Sequence, residues 1–134
     1  METDGIKVGM KNEAAEKVSG ENTALAMGSG SLPVYATPAM ACLMEKAAAE
    51  LAEKSLPEGW TSVGIALRLQ HKAATPIGME VRAEAEVTAV EGRKLVYAVR
   101  AFDGKEEIGE GIHERFVVAR EKFMAKAEGK QQRE

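Results

Sequence analysis

Rings are nearly absent from this sequence: one Trp, two Tyr and three Phe make up 4% of its 134 residues. Its core must therefore be built from alanine, valine, leucine and seven methionines. Cysteine is rarer still. The lone Cys42 excludes an internal disulfide and, beside only two histidines, makes a poor zinc set, so no metal is expected. That usage points to the cytoplasm. No charge of one sign dominates, with 18 basic against 21 acidic side chains and a net charge of −3, which argues against nucleic acid as a partner. A secretory leader is not expected either, because charges recur from Glu2 and Asp4 through Lys17 with no apolar segment behind them. Residues 22–44 carry no charge and are long enough to span a bilayer. Gly28, Ser29, Gly30, Ser31, Pro33 and Pro38 interrupt that stretch, so no membrane association is expected.

What remains is 45% apolar and 29% charged, the composition of one globular domain over residues 1–134 with a charged tail from about 120. Residues 5–18 alternate loosely, as an edge strand would, and residues 19–36 are loop-like with room for one helical turn. Thr37-Pro38 is a helix-start signature, with Thr37 expected to cap. The helix is expected to run through Lys54 and stop before Leu56-Pro57-Glu58-Gly59. Around its wheel, Met40, Leu43, Met44, Ala47, Ala48 and Leu51 fill one wide arc, opposite a narrow strip of Lys46, Glu50, Glu53 and Lys54. After Gly59 the period becomes two. Four strands are expected, over 61–73, 79–89, 93–102 and 105–119, with Asp103-Gly104 as a hairpin turn. The fold class is α+β: one long helix followed by a four-strand antiparallel meander that curls around it. Pairing two such sheets into a continuous dimer removes an exposed edge, which is the hot-dog arrangement.

Few residues stand where chemistry needs them. Glu45 lies off the charged strip, among Ala41, Cys42, Ala49 and Ala52, where loss of water contact would suit a carboxylate to general-base work; the alternative is that it reaches past them to solvent or to a structural arginine. His71 ends an apolar strand face and is a candidate partner for Glu45 in proton transfer. Thr37, at a helix N-terminus, can hold a substrate or a water as well as cap. Gly64 interrupts its strand, either as a bulge or close approach of a ligand would or as a packing or twist requirement would. The Gly109-Glu110-Gly111 pair beside His113 and Arg115 carries the same two readings. Gly28-Ser29-Gly30 has no preceding strand and no third glycine, so it is no dinucleotide fingerprint. Cys42, among apolar neighbours and without an activator, reads as inert.

Taken in order, TPAMACLME (37–45), SVGIALRLQHKAATPIG (62–78), VEGRKL (90–95) and IGEGIHER (108–115) resemble the fluoroacetyl-CoA thioesterase-like family of hot-dog acyl-CoA thioesterases. The likeness covers about residues 34–124. It implies a homodimer, or a tetramer built from one, that hydrolyses an acyl-CoA thioester with no cofactor beyond the CoA of the substrate. It further implies catalytic roles for Thr37, Glu45 and His71, an oxyanion-side role for Gly64, and for Arg115 either a structural role or contact with an anionic ligand. Glu45 either activates water or attacks the thioester, and the sequence leaves both open. Residues 24–36 hold no phenylalanine and only one ring, Tyr35, so a fluorine-selective aromatic gate is not expected. A small or medium acyl group is. The rival readings are a hot-dog hydratase or dehydratase of acyl thioesters, and a non-enzymatic acyl-CoA binding protein.

Overall fold

The computed structural model describes residues 1–131. One helix, α2 (Thr37–Ser55), lies in the hollow of a five-stranded antiparallel sheet. The strands are β1 (Lys11–Lys17), β2 (Trp60–His71), β3 (Glu80–Glu91), β4 (Lys94–Phe102) and β5 (Glu107–Ala119), in the order β1-β3-β4-β5-β2. A single turn, α1 (Ala24–Met27), interrupts the loop before α2, and α3 (Arg120–Glu128) opens the charged tail. The last three residues of that tail lie outside the described residues.

The sequence expectation of a simple meander is corrected here. β3, β4 and β5 are consecutive hairpin neighbours, but β2 pairs with β5 and not with β3. β1 already occupies the free side of β3, from Lys11 opposite Glu86 to Lys17 opposite Glu80. The connection between β2 and β3 is long enough to cross the end of the sheet, and Tyr35 N–H bonds Thr75 there. Both ends of the sheet are thereby defined. β1 protects its own edge with charge, through Arg82–Glu13 and Lys11–Glu86 pairs. β2 is the other edge.

The core is as ring-poor as the composition requires. Met40, Leu43, Met44, Ala47, Ala48 and Leu51 of α2 pack on Val81, Ala83, Ala85 and Val87 of β3 and on Leu95, Val99 and Ala101 of β4. Alanine on both surfaces lets helix and sheet approach closely, and each buried Leu or Met contributes roughly 1.5–3 kcal/mol. The side chain of Asn12 donates to the Ala47 carbonyl at 3.0 Å and so pins β1 to the helix. Gly109 has a packing reason: a Cβ there would stand 2.5 Å from the Met40 methyl. Gly111 is likewise filled by the β2 backbone.

Candidate active site

Thr37 opens α2 but does not cap it. Ala36 takes the cap position without a side-chain bond, and Pro38 follows in the first turn where its missing N–H costs nothing. Freed from capping, the Thr37 hydroxyl lies 2.8 Å from His71 Nδ1. The loop is set to allow this: Tyr35 is buried with its hydroxyl donating to Glu16 at 2.6 Å, and Ala36 N–H bonds Asn22. His71 ends β2 as expected, and burial holds its imidazole below the ordinary histidine range, so it is neutral at pH 7. Its other nitrogen, Nε2, is buried and has no partner among the described residues. Thr37 and His71 share a cavity of about 330 Å³ with Ser29, Val34 and Ala73.

A second cluster forms where α2 crosses the middle of β2. The register of β2 on β5 slips between Gly64 and Ala66, a bulge that leaves Ile65 unpaired. Glu45 approaches this point so closely that a Cβ on Gly64 would lie 2.5 Å from its Oε2. Behind it stands Arg115, whose Nη1 is 3.7 Å from the same oxygen. The arginine is almost fully buried and held by Ser62, with Nε donating to Oγ at 2.7 Å and Nη2 to the backbone carbonyl at 3.1 Å. His113, also buried, stands 3.8 Å from Glu45 Oε2 and 3.1 Å from Arg115 Nη1.

Two expectations from sequence are corrected. Glu45 is not sunk among alanines: 44% of its side chain is exposed in the single chain, because the helix ridge it occupies faces the open β2 edge. Cys42 on that ridge is exposed too. Nor does one chain join Glu45 to His71. Glu45 is eight residues beyond Thr37 on one helix, about 12 Å along the axis. Gly64 and His71 are separated by roughly 20 Å along β2. The fold thus brings Thr37 to His71, and Glu45 to Gly64 and Arg115, as two separate clusters.

His113 is the residue sequence reading left unassigned. Its signal was its place two residues before Arg115, which on a strand puts both side chains on one face. A larger hollow of about 420 Å³ lies across the outer side of β2, β4 and β5 between Arg68, Arg100 and Glu110, away from both clusters. Among the described residues, no group of His, Cys, Asp and Glu is arranged to hold a metal. No helix among them is long and apolar enough to cross a membrane.

Comparison with known proteins adds an independent line. A family model described as FlK, fluoroacetyl-CoA-specific thioesterase, matches residues 18–121. The fluoroacetyl-CoA thioesterase of Streptantibioticus cattleyicolor is 46% identical over 97 residues, 72% of this chain and 70% of that protein. A solved structure of the fluoroacetyl-CoA thioesterase FlK superposes with a TM-score of 0.88 at 38% identity, covering 96% of this chain and 100% of that one. A hot-dog-like protein from Thermanaerovibrio acidaminovorans reaches 0.90 at 26% identity, covering 98% of each chain.

Proposed function

The chain belongs to the fluoroacetyl-CoA-specific thioesterase family, and on that premise we propose that it hydrolyses the thioester of a small or medium acyl-CoA to free acid and CoA. It is a thioester hydrolase. The observation that carries the reading to this site is the crowding at Gly64, where a carboxylate, a buried guanidinium and a side-chain-free backbone converge. Glu45 supplies the carboxylate, as base toward water or as nucleophile toward the thioester carbon. Backbone N–H donors at the Gly64 bulge, with the Arg115 charge behind them, stabilise the oxyanion that develops on the carbonyl. Neutral His71 and the Thr37 hydroxyl hold the reacting groups and pass a proton, with the unpartnered Nε2 as the free position. Thiolate is a good leaving group, so little acid assistance is needed.

The enzyme works as a homodimer joined along β2, and dimers of that kind can associate further into a tetramer. Three features support this. β2 is an unpaired twelve-residue edge, Ile65 on it is 51% exposed, and Glu45 is half-open beside it. With the two-fold axis midway between Gly64 and His71, antiparallel pairing of two β2 edges sets the Glu45–Gly64 half-site of one protomer beside the Thr37–His71 half-site of its partner. Each complete site then draws on both chains. A cytoplasmic location suits the single cysteine and a CoA-bound substrate.

Fluoroacetate selectivity is not part of the proposal. The loop before α2 contributes one ring, Tyr35, and that ring is 1% exposed and tied to Glu16. The test is release of free thiol from a panel of acyl-CoAs of two to eight or so carbons, fluoroacetyl-CoA included. Turnover of short unfluorinated members supports the reading. Water addition to an enoyl-CoA without thiol release would replace it with a hydratase, and tight binding without turnover would replace it with a carrier.

A further inference from the structure

The floor of the Glu45 half-site contains an imidazole to which the reaction, as described, gives no part. His113 is fully buried, its ring stacked against Tyr97 with centroids 6.1 Å apart. Its Nδ1 lies 2.8 Å from the Ala66 carbonyl. A carbonyl only accepts, so Nδ1 carries the hydrogen. Its Nε2 lies 3.1 Å from Arg115 Nη1. A guanidinium only donates, so Nε2 must present its lone pair. The two neighbours together admit one form of the ring, the neutral Nδ1–H tautomer. An imidazolium would set an N–H against an N–H.

Each bond has a consequence at the site. Ala66 is the first paired residue beyond the bulge, so the Nδ1–H bond anchors the backbone that Gly64 presents to Glu45. The Nε2 acceptor closes the third side of Arg115, whose other two sides are held by Ser62. With three N–H groups so committed, Nη1 retains one donor on the side of Glu45 Oε2. We propose that His113 is a positioning residue of the hydrolase, a neutral brace whose fixed tautomer locks the β2 bulge and the Arg115 guanidinium together beneath Glu45. The assignment rests on the thioesterase reading of this site. Burial, reinforced by the Arg115 charge, pushes His113 below the ordinary histidine range against the Ala66 bond and the Glu45 and Glu114 carboxylates. Tyr97 covers its face from β4.

Nitrogen-15 NMR of the imidazole in the wild-type protein tests the brace without reference to turnover. The expected spectrum has a protonated Nδ1 and a bare Nε2, unchanged from pH 8 to about 6. An Nε2–H tautomer, or an imidazolium at pH 7, overturns the proposal. Kinetics then test the consequence. His113→Leu removes both bonds and is expected to lower kcat roughly 10- to 100-fold, with KM changed less than about threefold. His113→Gln places an acceptor near the old Nε2 and is expected to recover at least about a third of the wild-type kcat. Equal kcat in the Leu variant and wild type, or equal loss in Leu and Gln, contradicts the brace. Should wild-type protein release no thiol from any acyl-CoA, the hydrolase reading fails, and the tautomer alone decides whether the brace exists.

Discussion

Glu45→Gln and His71→Ala should each abolish turnover as homodimers, yet restore it when combined in one dimer. Thr37 and Glu45 are about 12 Å apart along α2, and the strand points they touch are roughly 20 Å apart along β2, whereas groups acting on one thioester must lie within about 3–3.5 Å of it. If the two half-sites meet only across a dimer, a heterodimer of the two variants holds one site with both lesions and one with neither. Chains carrying different affinity tags, coexpressed and purified through both, would give that heterodimer. Thiol release per dimer should then reach about half the wild-type rate, because one of two symmetric sites is intact. A heterodimer as dead as either parent would refute the composite site. A protein that is monomeric at assay concentration and fully active would refute it as well.

Gly64→Ala places a Cβ 2.5 Å from Glu45 Oε2, the free end of a flexible side chain, so the protein should fold while the carboxylate swings aside. We expect kcat to fall about 10- to 100-fold with an unchanged circular dichroism spectrum; a kcat within twofold of wild type would show that the carboxylate does not act from this position. Stability should decline as pH falls below 6.5. Burial lowers the pKa of both His71 and His113 in the folded chain, so between 6.5 and those depressed values the unfolded chain binds protons that the folded chain does not. The urea midpoint should therefore be lower at pH 5.5 than at pH 7.5, and the difference should shrink in a His71→Gln, His113→Gln double variant. An unchanged difference would assign the slope to other groups. The carboxylates that strong partners hold down, such as Glu107 beside Lys72 and Arg100, act further into acid.

Periodicity and punctuation made most of the fold legible. The apolar arc of α2, the Pro57-Glu58-Gly59 stop and the Asp103-Gly104 turn are local signals, and the helix and the four strands after it fall close to where those signals put them, while the loosely alternating stretch 5–18 holds β1 only over Lys11–Lys17. Strand order was not local. Nothing within residues 60–71 says that β2 pairs with β5, since that choice depends on β1 taking the side of β3. The members of the two clusters were legible by residue type and position: Thr37, Glu45, Gly64, His71 and Arg115 each stand in one or the other. Their grouping was not. A helical wheel places Glu45 off the charged strip but cannot show that its ridge faces an open sheet edge, so exposure was misjudged. Thr37 was read as a cap because Ser, Thr and Asp before a proline usually are, and only the approach of His71 from a distant strand redirects the hydroxyl.

In the proposed mechanism the Glu45 carboxylate at the Gly64 bulge carries out thioester hydrolysis. Thiol release by wild type and Glu45→Gln, compared on the acyl-CoA that wild type turns over fastest, addresses it directly. The amide keeps the size and hydrogen-bonding reach of the side chain but removes its basicity and nucleophilicity. The Gln variant should lose about 100-fold or more in kcat at unchanged thermal stability. Turnover of the Gln variant equal to wild type would contradict it.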